Sequence, residues 1–192
     1  MEKPVENQRV RLTKRMLEQA LVCLLETKPL ADVEVAELCR AAGINRTTFY
    51  SHYGNPTDLF DEICGRAYAE IEDLLAQASG KSSLPLARRV EIICTYLRAH
   101  VRLFRAIFSS SAEIPAWAEA FFDIPDGTNA TGNDLLTDYD EQTRRLLHTY
   151  LTHGTYSLVR QWLLEDSSKT PHELGELAQL IATHGWAGTG QR

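Results

Sequence analysis

The stretch from Asp32 to Tyr53 constrains this chain most, because it holds two apolar patterns at helical spacing with room for only a tight turn between them. Val33, Val35, Leu38 and Cys39 fit a short helix that Asp32 can cap and that ends at Ala41-Ala42-Gly43. Gly43 can take the left-handed backbone that stops a helix. Only Ile44 separates it from Asn45, which is suited to cap a second short helix running from Arg46 to about His52. Two short helices joined by a glycine turn make a helix-turn-helix, here spanning about residues 34–53.

The flanking sequence also reads as helix. Leu12, Leu17, Ala20, Leu21, Leu24 and Leu25 share one face from about Arg9 to Glu26, and Pro29 closes that stretch. Asn55 caps and Pro56 opens a longer helix carrying Leu59, Ile63, Ala67, Ile71 and Leu75. Beyond the linker Ser79-Gly80-Lys81-Ser82-Ser83, Pro85 restarts the pattern through Leu86, Val90, Ile93, Leu97 and Val101, with a break near His100. Glu113 to Phe122 predicts a short aromatic-rich helix and Pro125 to Asp134 a polar loop. Tyr139 to Leu163 and Pro171 to Ile181 predict two more helices. With no strand alternation anywhere, the expectation is an all-α chain of about nine helices. An N-terminal three-helix domain would occupy residues 1–66, and a C-terminal helical bundle residues 67–192.

Bulk properties exclude several classes. Hydrophobic residues at 44% and charged residues at 24% of 192 suit a globular protein, not a disordered one. No apolar run approaches the roughly 18 residues that span a bilayer, and Met1 to Val10 is polar, so the expected location is the cytoplasm with no membrane partner. Cys23, Cys39, Cys64 and Cys94 form no CxxC pair and read as buried thiols. His148, His153, His172 and His184 are not spaced as metal ligands. GxSxG, HExxH and phosphate-cradling glycine loops are missing, so neither an enzyme nor a metal or cofactor site is expected.

The net charge of −6 argues against a chain that coats nucleic acid by charge alone, so distribution matters. Arg9, Arg11, Lys14 and Arg15 cluster without an acid, and Leu38 to Gly54 holds Arg40, Arg46 and His52 with no carboxylate. The second short helix can therefore enter the major groove, with Arg46, Thr47, Thr48, Tyr50 and His52 reaching base edges and phosphates. Phe49 belongs to the opposite, buried face. Tyr53, lying partly over the same core, and Arg11 from the basic cluster complete the expected DNA-contacting set.

Val35-Ala36-Glu37-Leu38-Cys39, then Ala42-Gly43-Ile44-Asn45-Arg46-Thr47-Thr48-Phe49-Tyr50, then His52-Tyr53, resembles the N-terminal signature of the tetracycline-repressor (TetR/AcrR) family. The resemblance covers about residues 9–66 in detail and the remainder by architecture alone. It implies a bacterial or archaeal regulator, usually a repressor, that binds a near-palindromic double-stranded operator as a homodimer. A small-molecule effector in the C-terminal domain would release the DNA. Two positions depart from the pattern: Pro56 stands where members usually carry a lysine, and Glu34 where they often carry a threonine.

In the back half, Tyr96, Phe104, Trp117, Phe121 and Tyr150 could line an effector pocket, with plain core packing as the alternative. Arg98, Arg102 and Arg105, at i, i+4 and i+7, would gather on one helix face. Gly154, Leu158, Trp162, Leu177 and Ile181 are the expected dimer contacts, since a mid-helix glycine suggests the close approach of another backbone. The competing functional reading is a helical small-molecule-binding or protein-interaction module that has lost operator binding, which Pro56 and Glu34 would favour.

Overall fold

The computed structural model describes residues 8–79, 84–110 and 140–185. Among them are eight α-helices and no strand. The helices are α1 (Gln8–Leu25), α2 (Val35–Ala42), α3 (Arg46–Tyr50), α4 (Pro56–Ser79), α5 (Leu86–Ala99), α6 (Val101–Ser110), α7 (Glu141–Leu164) and α8 (Pro171–His184). The helix expected over Glu113 to Phe122 lies outside the described residues, as do Trp117 and Phe121. The chain divides into two compact units, one made of Met1–Arg66 with Arg102–Ser110, the other of Ala67–Val101 with Ser111–Arg192.

The first unit is built around Leu17 and Leu21 of α1, Leu38 of α2, Phe49 of α3, and Leu59 and Ile63 of α4. Ala106 of α6 joins this core and Leu103 packs against it, while Arg102 Nε donates to Glu26 Oε1 across 2.9 Å. The expected cap of α2 is corrected. Asp32 lies in a 3₁₀ turn, Leu30–Asp32, whose bonds use its own backbone N–H. Glu34 takes the N-cap position instead, and its side chain makes no capping bond. Gly43 ends α2 in the left-handed region at φ +67°.

Capping of the next two helices follows from short polar side chains reaching back to free N–H groups. Asn45 Oδ1 accepts from the Thr48 N–H at 2.7 Å, and Asn55 Oδ1 accepts from the Asp58 N–H at 3.0 Å. Asp58 in turn accepts from the Gly54 N–H at 2.8 Å, which fixes the chain's entry into α4.

In the second unit the close contact is between α5 and α8. Gly175 is buried, and a Cβ placed there would stand 2.2 Å from the Ala87 carbonyl oxygen. The Ala87 N–H donates to Gln179 Oε1 at 3.2 Å beside it. Thr170 and Glu173 form a reciprocal capping box at the start of α8. Val90, Ile93, Cys94 and Leu97 of α5 and Tyr156, Val159, Trp162 and Leu163 of α7 are the buried faces of their helices.

The helix expected to break near His100 does so, and the break corrects the proposed arginine face. Arg98 ends α5, where its guanidinium lies 4.4 Å from the Trp162 ring and donates to the Ser167 and Lys169 carbonyls. Arg102 opens α6 and is paired with Glu26. The three arginines therefore do not share one continuous helix. Cys23 is also corrected, being exposed, whereas Cys39, Cys64 and Cys94 are buried as expected.

Candidate nucleic-acid interface

Phe49 and Tyr50 show how the first unit aims α3. Phe49 is wholly buried among α1, α2 and α4 residues, so its neighbour one position on must turn outward, and Tyr50 is 58% exposed. Arg46 and Thr47 are exposed with it, while Thr48 and His52 are half-buried. The face thus carries a guanidinium, hydroxyls, a phenol and an imidazole, and Leu38 to Gly54 contains no carboxylate. Such a set can donate to phosphates and exchange hydrogen bonds with base edges.

Tyr53, expected at the DNA, is corrected. Its ring is 5% exposed and packs against Phe49 at a centroid distance of 5.8 Å. Its hydroxyl donates to Glu62 Oε1 at 3.1 Å, and burial together with that carboxylate holds the phenol far above its ordinary range. Lys14, one of the basic cluster, is spent on Glu62 at 3.1 Å. Arg11 and Arg15 stay exposed on α1.

Sequence reasoning missed a cleft of about 470 Å³ between the first turns of α1 and α3, lined by Arg9, Val10, Thr13, Gly43, Ile44, Asn45, Thr48 and His52. Arg9 and Thr13 are four residues apart and so share a helix face, the one signal that could have singled them out.

Of the expected pocket residues, Tyr96, Phe104 and Tyr150 are among the described ones. Tyr96 donates to Glu70 Oε2 at 2.7 Å and stacks near His100. Phe104 is wholly buried, with the Phe108 ring beside it, in a segment of the first unit. Tyr150 is 66% exposed and lines an apolar groove of about 340 Å³ with Gly154, Leu158 and Ile181. Three of the five expected dimer contacts therefore meet there. Trp162 does not, because it is buried with its indole N–H donating to the Lys169 carbonyl at 2.8 Å. Leu177 is half-buried outside the groove. Gly154 is exposed, and a Cβ added there would meet nothing within 4 Å, so among the described residues no neighbour requires it to be glycine.

A short helix capped after a left-handed glycine, seated on a three-helix core and turning a basic, acid-free face outward, defines the helix-turn-helix class of DNA-binding domain. Residues 19–63 match the sequence model of the family described as "Bacterial regulatory proteins, tetR family". The match takes in the helix-turn-helix and its flanking helices, so this segment is similar to the DNA-binding domain of that family. It is 30% identical over 98 residues to an uncharacterized HTH-type transcriptional regulator, YxbF, of Bacillus subtilis (strain 168). That match spans 51% of this chain and 26% of the relative. Among solved structures, the fatty acid degradation regulator FadR of Bacillus halodurans shares the fold at a TM-score of 0.67 and 13% identity, covering 97% of this chain and 98% of its own. The dihydroxyacetone kinase operon activator DhaS does so at 0.53 and 16%, covering 91% and 94%. No described helix is long and apolar enough to cross a membrane.

Proposed function

We propose that this chain is an effector-responsive transcriptional regulator, a repressor, that binds a near-palindromic operator as a homodimer. The observation that carries the reading is the outward face of α3, where Arg46, Thr47 and Tyr50 are exposed beside a wholly buried Phe49. Arg46 and Tyr50 read the major groove, while Arg11 and the cleft beside α1 hold phosphates. A gel shift against the DNA upstream of the protein's own gene tests this. A salt-dependent, sequence-selective complex is expected, and binding no tighter than to unrelated duplex would refute it.

The groove beside Gly154 supports pairing of α7 and α8 with their copies in a second chain, which would cover Tyr150, Leu158 and Ile181. Glycine costs about 1 kcal/mol relative to alanine inside a helix, and no contact among the described residues accounts for it. Gly154→Leu is expected to shift the protein toward monomer in a sedimentation series and to weaken operator binding. A wild-type monomer at micromolar concentration would sink the dimer.

A small-molecule effector in the second unit is supported by Thr152 Oγ1 and Gln179 Nε2, buried polar atoms without a hydrogen-bond partner among the described residues. The second reading, a helical binding module without operator affinity, draws on Glu34, whose exposed carboxylate heads α2 beside the proposed interface. Failure of the gel shift would favour it.

A further inference from the structure

The cleft between α1 and α3 has a chemistry of its own. His52 and Thr48 face Arg9 and Thr13 across it, and among the described residues no carboxylate lines it. From α1 the charged group facing His52 is Arg9, and the turn at Gly43 to Asn45 supplies none. On the neighbouring elements, Glu34 at the head of α2 and Asp61 of α4 are exposed and do not line the cleft, and three other acids are engaged elsewhere. On α4, Glu62 holds Lys14 and the Tyr53 hydroxyl, and Asp58 holds the Gly54 N–H and the Asn55 amide. On α2, Glu37 holds Lys28. The His52 ring lies 6.3 Å from the Tyr53 ring, and its ring nitrogens have no hydrogen-bond partner among the described residues.

The Thr13 hydroxyl donates to the Arg9 carbonyl at 3.0 Å. That leaves a guanidinium, the Thr48 hydroxyl and an imidazole around a concavity that no described carboxylate lines, a set that suits an oxyanion with the charge and size of a phosphodiester. Resting on the DNA-binding reading above, we propose that a backbone phosphate seated in this cleft is held by the protonated form of His52, so that DNA binding takes up a proton and weakens as pH rises. Imidazole is the side chain whose charge changes between about pH 5 and pH 8, and an anion brought against it favours the charged form. Seating the anion therefore draws a proton onto the imidazole. The gain in affinity is complete on the acid side and is lost as the solution becomes alkaline. Linkage limits the slope to about tenfold per pH unit for each proton taken up.

The test is fluorescence anisotropy with a mixed-sequence duplex of about 30 base pairs at about 50 mM salt, where phosphate contacts dominate. Wild type, His52→Gln and His52→Arg are compared from about pH 6 to about pH 8. Wild type is expected to lose about tenfold in affinity across that range. His52→Gln should give a flat profile lacking the acid-side gain, and His52→Arg a flat profile that keeps it. Calorimetry in two buffers of different protonation enthalpy should show proton uptake by wild type and none by His52→Gln. A flat wild-type profile, or an equal slope in His52→Gln, overturns the proposal while leaving DNA binding intact. Absence of binding by all three proteins at every pH, to this duplex and to the DNA upstream of the gene, overturns the DNA-binding reading and this inference with it.

Discussion

Replacing Gly175 with alanine adds one methyl group at the point where α8 lies closest to α5. That carbon would stand 2.2 Å from the Ala87 carbonyl oxygen, 3.0 Å from its carbonyl carbon and 3.3 Å from its Cα. All three atoms belong to the backbone of α5, so no side chain can rotate away and the helices must separate. Overpacking of this kind costs about 1 to 3 kcal/mol, and contact with main-chain atoms puts it at the upper end. Alanine's helix propensity returns about 1 kcal/mol, which leaves a net loss of about 2 kcal/mol. For a chain of this size the melting temperature should fall by about 4 to 8 °C. Gly65→Ala is the matched control, since a Cβ at that exposed position of α4 meets nothing within 4 Å. It should stabilise by up to about 1 kcal/mol. Urea unfolding followed by circular dichroism measures both. A Gly175→Ala protein as stable as wild type would refute the claim that backbone contact requires glycine there.

Phe49→Ala empties a wholly buried site and should lower stability by about 3 to 5 kcal/mol in the same assay, whereas Arg46→Ala and Tyr50→Ala should leave the melting temperature unchanged. Each of the latter pair should weaken operator binding by about 1 to 3 kcal/mol if it reads a base, as titration at matched salt would reveal. In a native thiol titration Cys23 should react first, because burial pushes the Cys64 thiol up to about 12 and raises those of Cys39 and Cys94; all four should react after unfolding. Arg88, hydrogen-bonded to Glu91 at 2.9 Å, and then His172 hold the Glu91 carboxyl below its ordinary range. A lowered acid contributes stability that is present above its unfolded value and lost as pH falls through its folded one, so Glu91→Gln should flatten the acid-side decline in stability between about pH 5 and pH 3.

The first unit was legible because its punctuation is local. Gly43, Asn45 and Asn55 act on backbone groups within a few residues, so spacing alone places the turn and both caps. The alternation of Phe49 and Tyr50 between core and surface follows from helical period. Asp32 misled because a 3₁₀ turn uses the same residue types as a cap and sits two positions earlier. Tyr53 misled because a partner from α4, Glu62, decides where its hydroxyl goes. Periodicity also cannot say what covers an apolar stripe. Trp162 and Leu158 both read as apolar on α7, yet one packs under Arg98 and the other lines an open groove. The demand for glycine at position 175 comes from the carbonyl of Ala87, far off in sequence, and leaves no trace in its own helix.

The assignment of residues 102–110 to the first unit bears on how the protein emerges from a ribosome. When Arg66 has been synthesised, the core of that unit still lacks Ala106 and the flanking Leu103, which α6 brings only later. At elongation rates of about 5 to 20 residues per second, the nascent domain waits for roughly 2 to 9 s without the contacts of Ala106 and Leu103. A fragment stopping near residue 66 would be frozen in that unfinished state. Genetic truncations meant to isolate the DNA-binding head should therefore expose apolar surface and invite aggregation or proteolysis, unless α6 is supplied by a linker or in trans.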